Sequence, residues 1–370
     1  MTSMIINAPR AVVEGAMMHN VGIHITDGVI TKIGATVDDP DQSISGTLIP
    51  GFVDIHCHGG GGKSFSSLVD EDIETVISTH RKFGTTSQLA SLVTEPIAAL
   101  EKQIRHLLPF VRRGEIAGIH LEGPYLSKAK CGAHDPKLLR TPDLEEISDL
   151  IAVGEGAIMM ITIAPELPNA LDAIQLITDS GIVAAIGHSN ADFETARKAI
   201  DAGASVITHF YNGLPSLSHR QPTVTVAGLL DEFITLELIL DGHHVNASAV
   251  ELLLKNAPDR VVLVTDAMSA AGGSEGRYKI GELDVEVKNG RAELLSNRSL
   301  AGSTLTMDQA FLRLVHHHGK SIEEASHATS VLPARTLGIS YVGEIKEGFK
   351  AHFVELSEDE ERISQVLRFQ

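Results

Sequence analysis

Hydrophobic and polar positions alternate with a period of two near the start of the chain. The run from Val21 to Gly34 alternates apolar and polar residues around the pair Asp27-Gly28. An Asp-Gly pair between two alternating segments is a strong signal for a β-hairpin, because these residues readily adopt the positive φ angles of the turn. We therefore predict a small β module over residues 1–50.

The pattern changes at Gly51, where short apolar runs begin to alternate with helix-like stretches. This alternation is typical of parallel β/α units. Eight such units over roughly 220 residues fit a closed barrel better than an open sheet. The sequence thus predicts an α/β protein with a TIM-type (β/α)8 barrel over residues 51–338. The predicted strands are Phe52–His58, Thr85–Ser91, Ile116–Leu121, Ile158–Ala164, Ile182–Gly187, Ser205–His209, Thr235–Leu240 and Arg260–Thr265.

Strand-like patterns return after the eighth predicted barrel strand. Tyr278–Val287 and Arg291–Leu295 flank the turn pair Asn289-Gly290 and predict an inserted hairpin. A helix is predicted over Met307–His318. The segment Ser321-Ile-Glu-Glu324 has the spacing of a capping box and predicts the start of another helix.

The last strand-like segment, Gly343–Leu356, is expected to complete the β module at the start of the chain. The predicted organisation is therefore a barrel of residues 51–338 and a small β-sandwich domain built from both termini. Residues 1–50 and 339–370 would form that second domain.

Composition and charge narrow the range of functions. The chain has 370 residues and a formal net charge of −18, which disfavours nucleic acid or an anionic membrane as its partner. Its two cysteines, Cys57 and Cys131, exclude a disulfide scaffold and favour a reducing compartment. No apolar run reaches about 18 residues, and the first residues lack the pattern of a secretory signal. We expect a cytoplasmic protein.

Six of the eight predicted strands end in residues whose side chains can bind a metal. The carboxyl ends of barrel strands meet around one mouth, where the active sites of such barrels lie. A metal site at this mouth explains the pattern better than polar residues that merely plug the barrel. The endings are Asp54-Ile-His56-Cys-His58, His120-Leu-Glu122, Gly187-His188, Thr208-His209, Asp241-Gly-His243-His244 and Thr265-Asp266.

The pair His56 and His58 lies two positions apart on a predicted strand, so both side chains point to one face. Neutral imidazoles suit zinc, iron and similar divalent ions, and carboxylates join them in open catalytic sites. Glu122 is a candidate for a bridging carboxylate. Asp266 has two open roles, as a metal ligand or as a general base that activates a metal-bound water and then acts as an acid.

Longer motifs surround these strand endings and cover nearly the whole chain. They resemble motifs of the amidohydrolase superfamily and, within it, of the N-acetylglucosamine-6-phosphate deacetylase family. The resemblance implies removal of the acetyl group from N-acetylglucosamine 6-phosphate, giving glucosamine 6-phosphate and acetate, in amino-sugar catabolism and cell-wall recycling. The motifs are Pro50-Gly-Phe-Val-Asp-Ile-His-Cys-His58, His120-Leu-Glu-Gly-Pro-Tyr125, Cys131-Gly-Ala-His134, Gly187-His-Ser-Asn-Ala191, Thr208-His-Phe-Tyr-Asn-Gly-Leu-Pro215, Asp241-Gly-His-His-Val245, Val264-Thr-Asp-Ala-Met268 and Leu300-Ala-Gly-Ser-Thr-Leu305.

The resemblance implies one or two divalent metal ions per chain, with zinc or iron most compatible with the ligands. Glu122, His188 and His209 match the main metal site of the family. His56 and His58 match a second site, which would share Glu122 with the first.

Catalytic roles follow from the same resemblance. Asp266 matches the family's general base and acid, placed near the second ion, with metal-bound hydroxide as the implied nucleophile. His134 matches a residue that contacts the substrate next to the scissile amide and shares in catalysis.

Substrate contacts are also implied by matching motifs. Asn212, the backbone of Gly213 and His244 match contacts to the phosphate and the sugar. Arg220 matches a phosphate-binding arginine that the neighbouring subunit of a homodimer supplies. Gly213 stands where alanine is commoner, a mild change if only its N–H is used.

The sequence is also compatible with three alternative functions. The first is a deacetylase of N-acetylgalactosamine 6-phosphate. The second is another amidohydrolase acting on a small or cyclic amide. The third is a catalytically silent barrel that only binds its ligand, and it would require a broken metal set, whereas every matching position is filled here.

Overall fold

The computed structural model describes residues 2–369. The chain divides into two compact units, one of which comprises Met1–Asp54, Ser78–Ser87 and Thr306–Gln370. The other comprises Ile55–Ile77 and Gln88–Leu305. Within residues 2–369, no helix combines the length and the apolar character needed to cross a membrane.

The strands fall into four sets: one near the termini, a central parallel set, a short antiparallel pair of Gly59–Gly60 with Lys63–Ser64, and a short set beyond the eighth barrel strand. In chain order they are β1 (Ser3–Val13), β2 (Ala16–Thr26), β3 (Val29–Ala35), β4 (Gln42–Ser43), β5 (Thr47–Pro50), β6 (Phe52–Asp54), β7 (Gly59–Gly60), β8 (Lys63–Ser64), β9 (Thr85–Leu92), β10 (Gly118–Glu122), β11 (Ile158–Ile163), β12 (Val183–Ile186), β13 (Val206–Ile207), β14 (Thr235–Ile239), β15 (Val261–Val264), β16 (Gly276–Ile280), β17 (Leu283–Lys288), β18 (Arg291–Leu294), β19 (His352–Leu356) and β20 (Ile363–Arg368).

The helices alternate with the barrel strands and then follow them. The predicted helix Met307–His318 and the capping box at Ser321 are both confirmed. The α-helices are α1 (Asp70–Lys82), α2 (Ile97–Arg112), α3 (Leu144–Val153), α4 (Ala170–Asp179), α5 (Phe193–Asp201), α6 (Val224–Leu230), α7 (Ala247–Asn256), α8 (Met307–His318), α9 (Ile322–Ser326) and α10 (Leu332–Thr336).

A seven-stranded sheet joins both ends of the chain, as the sequence predicted. Its order is β20-β19-β5-β1-β2-β3, with β4 paired to β1. The predicted hairpin is confirmed: β2 and β3 pair with Thr26 opposite Val29, and Asp27 and Gly28 occupy the turn with φ angles of 45° and 75°. The sheet buries an apolar cluster that includes Ile6 and Phe353.

The central sheet has eight strands in the order β6-β9-β10-β11-β12-β13-β14-β15. The neighbouring strands from β9 to β15 pair in parallel, and each strand from β6 to β14 is followed by a helix before the next strand of this sheet. All residues of β9, β10 and β14 are buried, as is typical of the strands of a parallel sheet, although each of these strands also contains polar residues. The predicted (β/α)8 barrel is confirmed.

The first barrel strand is shorter than predicted, because β6 ends at Asp54 and not at His58. The next residues pair with the segment that follows β15. The N–H of Asp266 donates to the carbonyl of His56 at 2.8 Å, and the backbones of Cys57 and Ala267 form a parallel β-bridge. The backbone beyond the first strand thus closes the ring against the eighth. This closure draws the predicted ligands on both segments together.

The insertion beyond β15 is a three-stranded antiparallel sheet, β16-β17-β18, rather than a two-stranded hairpin. The predicted strand Tyr278–Val287 is split by a turn at Gly281, whose φ of 52° is readily adopted by glycine. The predicted turn at Asn289-Gly290 is confirmed, with Lys288 opposite Arg291.

Candidate active site

A cavity of about 310 Å³ opens where the barrel strands end. This volume lies at the lower end of the range for small-molecule sites. The insertion beyond β15 contributes Ile280, Ser299 and Leu300 to its wall. The predicted site residues that line it are His58, Glu122, His134, His188, His209, Asn212, Gly213, His244 and Asp266.

Three of the predicted metal ligands have their Nδ1 atoms against backbone carbonyls. A carbonyl oxygen only accepts hydrogen bonds, so each Nδ1 carries a proton, and each Nε2 presents a lone pair when the ring is neutral, the form that binds a metal. This arrangement orients a histidine as a metal ligand. The pairs are His58 with the Ser91 carbonyl at 3.1 Å, His188 with Lys130 at 2.7 Å and His209 with Asn212 at 3.0 Å.

The Glu122 carboxylate lies among these Nε2 atoms. Its Oε1 is 3.2 Å from His188 Nε2 and 3.1 Å from His209 Nε2. Its other oxygen, Oε2, is 3.2 Å from His58 Nε2. The Nε2 of His56 is 3.1 Å from that of His58. One carboxylate therefore faces both histidine pairs, as expected for a bridging ligand.

Close approach of the imidazole nitrogens shows that the donor set fits a divalent cation. His188 Nε2 and His209 Nε2 are 3.0 Å apart, although both Nδ1 atoms already hold the ring protons. Two lone pairs at this distance repel each other unless a cation or an extra proton lies between them. Buried clusters of imidazole and carboxylate donors, His56 with His58 and Asp266 among them, can hold such an ion.

The charges of the site attract a cation. Burial raises the pKa of Glu122, but His56 and His134 outweigh it and hold the pKa well below the usual value. Burial lowers the pKa of His58, yet hydrogen bonds with Asp266 and Glu122 raise it to about 9. Ionised carboxylates thus bind positive charge strongly at this position, and a metal ion supplies it without protonating the ligands.

Asp266 is buried at the end of β15, with its Oδ1 3.4 Å from His58 Nε2 and 3.6 Å from His56 Nε2. Burial raises its pKa, but the neighbouring His56 and the hydrogen bond from His58 bring the pKa below the usual value. The carboxylate is therefore ionised at neutral pH. It can accept a proton and lies beside the donors that could hold an ion.

His134 has the opposite tautomer from the ligand histidines. Its Nδ1 accepts the Thr94 N–H at 3.4 Å, so the proton is on Nε2, 3.3 Å from Glu122 Oε2. Burial is the main reason that its pKa falls to about 4, despite the nearby Glu122 carboxylate. A neutral imidazole with Nε2–H is a hydrogen-bond donor, not a metal ligand.

Three of the predicted site residues have strained backbone conformations. His188, His209 and Asp266 have φ angles of 44°, 30° and 45°, in the left-handed region that non-glycine residues rarely occupy. Such strain persists where the surrounding structure holds it and concentrates at functional sites. For His209, the backbone N–H is held by the buried Glu237 carboxylate at 3.1 Å.

Of the remaining four predicted substrate contacts, three line the cavity and one lies outside it. Asn212, Gly213 and His244 line the cavity, and the Nδ1 of His244 donates to Asp241 at 2.7 Å. Arg220 is exposed in the loop after β13 and does not line the cavity.

Sequence patterns do not identify two buried polar residues of the site. Glu237 lies in the middle of β14, where its only sequence signal is a carboxylate inside an apolar run. His120 belongs to one of the predicted strand endings, but its sequence pattern predicts no role for it. Its ring is hydrogen bonded to Ser91 Oγ at 2.9 Å and Thr162 Oγ1 at 2.8 Å, and burial holds its pKa well below the usual value. His120 is therefore a neutral support within the barrel.

The barrel and its histidine–carboxylate site agree with the family comparison. The amidohydrolase family model matches residues 47–365, so the chain belongs to the amidohydrolase family. Within it, the chain falls in the branch that includes the amino-sugar-phosphate deacetylases described next.

Curated relatives and solved structures support this placement. The chain is 35% identical over 357 residues to the N-acetylgalactosamine-6-phosphate deacetylase of Escherichia coli O157:H7, covering 95% of this chain and 94% of that protein. It is 36% identical over 317 residues to the N-acetylglucosamine-6-phosphate deacetylase of Vibrio furnissii, covering 84% and 79%. A Mycobacterium smegmatis N-acetyl-D-glucosamine-6-phosphate deacetylase structure, an aspartate-to-alanine mutant in complex with N-acetyl-D-glucosamine-6-phosphate, is 38% identical with a TM-score of 0.95. That comparison covers 100% of this chain and 98% of the other.

Proposed function

We propose that this protein hydrolyses N-acetylglucosamine 6-phosphate to glucosamine 6-phosphate and acetate in the cytoplasm. The observation that carries the proposal is the Glu122 carboxylate, which faces two histidine pairs at the floor of a cavity that also holds Asp266 and His134. The second candidate substrate is the C4 epimer, N-acetylgalactosamine 6-phosphate, because the Escherichia coli relative is named for its deacetylation.

Two groups of residues would hold divalent ions, with zinc or iron best suited to their nitrogen and oxygen donors. Glu122, His188 and His209 would hold the first ion. His56 and His58, with Glu122 and Asp266 beside them, would hold the second. When bound, such ions polarise the acetyl carbonyl and make a water molecule acidic enough to attack it near neutral pH.

Asp266 would move the proton. Its ionised carboxylate accepts a proton from the attacking water and returns it to the amide nitrogen, because an amine anion is too poor a leaving group to depart unprotonated. Its carboxylate lies beside His56 and His58, the two histidines that would hold the second ion.

His134 would stabilise the oxyanion that forms on the acetyl carbonyl. Its ring lines the cavity and accepts the Thr94 N–H, so the Nε2–H, 3.3 Å from Glu122 Oε2, is a donor held in place before the substrate binds. Asn212, the Gly213 N–H and His244 would contact the sugar and its phosphate from the cavity wall.

The first test compares acetate release from the two 6-phosphates with release from unphosphorylated N-acetylglucosamine and from a cyclic amide. We expect removal of the phosphate to lower kcat/KM roughly tenfold to hundredfold, the effect of losing hydrogen bonds to a charged group. Chelation should abolish acetate release, and added zinc or iron should restore it. Equal kcat/KM with and without the phosphate, or preference for the cyclic amide, would contradict the proposal.

Arg220 would reach the phosphate bound in the other subunit of a homodimer. This placement is supported by its exposed position outside the cavity of its own chain. We expect Arg220→Met to raise KM roughly tenfold to hundredfold with little change in kcat. Sedimentation of the wild-type protein should give an active dimer at assay concentration.

Mixed dimers test the exchange directly. A subunit with Arg220→Met keeps its own metal ligands, and a subunit with His188→Ala keeps its own arginine. Mixing and reassociating the two variants should restore the low KM in the sites of the Arg220→Met subunits. An active monomer, or mixed dimers no better than the separate variants, would show that Arg220 does not act across an interface.

A further inference from the structure

Glu237 is a buried carboxylate without a role in the proposed chemistry. It lies in β14 between Leu236 and Leu238, and its side chain is fully buried. Burial of an ionised carboxylate costs free energy unless hydrogen bonds or opposite charges compensate for it. The contacts of Glu237 therefore indicate what the protein gains from it.

Both hydrogen-bond donors to the Glu237 carboxylate belong to predicted metal ligands. Its Oε2 accepts the Nδ1–H of His56 at 3.0 Å and the backbone N–H of His209 at 3.1 Å. Its Oε1 is buried and has no hydrogen-bond partner among residues 2–369. The carboxylate thus links the two histidine pairs from inside the barrel.

The hydrogen bond to His56 sets the tautomer of that ring. With Nδ1–H directed at Glu237, the Nε2 lone pair of His56 points to the remaining donors. It lies 3.6 Å from Glu122 Oε1 and 3.6 Å from Asp266 Oδ1. The other three ligand histidines have their Nδ1 atoms against neutral carbonyls, so among the four only His56 has a carboxylate at its Nδ1.

A carboxylate partner makes an imidazole a stronger ligand than a carbonyl partner does, because it stabilises the positive charge that the ring gains on binding a cation. We infer that Glu237 is a positioning residue for the second ion: it fixes the tautomer and orientation of His56 and strengthens its Nε2 as a ligand. The inference rests on the proposed metal-dependent function. A secondary role is to hold the strained backbone of His209 at the first ion site.

The test compares Glu237→Gln with the wild-type protein in metal binding. Glutamine keeps the size of the side chain and an oxygen acceptor but removes the charge. The affinity for the second ion, measured by chelator competition, should fall roughly tenfold to hundredfold, while the first ion stays bound. With cobalt as the probe, the visible absorption of the second site should weaken or shift. An unchanged affinity and spectrum would overturn the inference.

A matched control and a double variant separate positioning from general stability. Asp231→Asn makes the same kind of change on a buried carboxylate that accepts a hydrogen bond from Arg197 outside the cavity, and it should leave both ion affinities unchanged. Because Glu237 acts through His56, the second-ion affinity of His56→Ala with Glu237→Gln should equal that of His56→Ala alone. Additive losses would overturn the inference.

The same measurements distinguish this inference from the proposed function. A wild-type protein that binds no divalent ion and releases no acetate would contradict both the proposed function and the inference about Glu237. A wild-type protein with two ions, whose folded Glu237→Gln variant also holds two with equal affinity, would remove only the inference. If Glu237→Gln does not fold, Glu237→Asp keeps the charge but withdraws it from His56, and the same loss of second-ion affinity is expected.

Discussion

Replacing Asp266 with asparagine is expected to slow turnover at least about a hundredfold, while the substrate and the ion held by Glu122, His188 and His209 still bind. General acid–base catalysis is typically worth roughly 10²–10⁴-fold, and an amide has the shape of the carboxylate but cannot shuttle the proton. The buried, ionised carboxylate beside His58 is the group that would perform both transfers. Measurements of kcat, substrate affinity and metal content on the purified variant check this result.

Asp192 supplies the matched control for that substitution. It caps the N-terminus of α5 by accepting the Thr195 N–H, and asparagine caps helices about as well as aspartate. Asp192→Asn should therefore turn over like the wild-type protein. Unchanged turnover in Asp266→Asn would rule out the proton-transfer role. Loss of all bound metal in that variant would show that Asp266 is chiefly a ligand.

Replacing His188 with alanine should remove the first ion and nearly all activity. The Nε2 of His188 is 3.2 Å from Glu122 Oε1 and 3.0 Å from His209 Nε2, so the substitution leaves two of the three donors that meet there. A metal ion contributes several kcal/mol to stabilisation of the transition state, which corresponds to a loss of more than about a thousandfold in rate. Metal analysis and acetate release on the same sample measure both effects.

His317→Ala is the control for removal of an imidazole. His317 is exposed near the end of α8, and consecutive histidines on a helix diverge too far to close on one ion. Its loss should change neither metal content nor turnover. Full activity of His188→Ala without bound metal would contradict the metal-dependent mechanism.

The architecture can be predicted from the sequence, because local patterns of hydrophobic and polar residues indicate the strands and helices. Period-two alternation around Asp27-Gly28 predicted the observed hairpin, and the alternation of apolar runs with helical stretches predicted the barrel. Once parallel strands are assumed, their carboxyl ends meet at one mouth. This rule alone brought His188, His209 and Asp266 to one site, where the structure has them.

The resemblance to a family added what spacing cannot supply. His134 and Asn212 lie in loops, and nothing in their local pattern separates them from ordinary polar residues. Matching motifs selected them, and both line the cavity. The role of Arg220 stays a prediction, because it depends on a second subunit.

Tertiary structure decided where the first strand ends and which ring nitrogens face the site. His56 and His58 lie beyond β6, in a segment held by pairing with residues after β15. Their tautomers depend on acceptors that come from other strands: the carbonyl of Ser91 for His58 and the carboxylate of Glu237 for His56. No local periodicity encodes such partners.

Glu237 shows this limit most clearly. In the sequence it is one charged residue inside an apolar strand, a pattern that by itself fits an error in the strand prediction as well as a functional group. The structure places its carboxylate 3.0 Å from a histidine 181 positions away along the chain. Composition and periodicity determine which faces of strands and helices are buried, but hydrogen-bond partners are determined by the three-dimensional path of the backbone. The chemistry of a buried charge therefore becomes readable only after the barrel has closed around it.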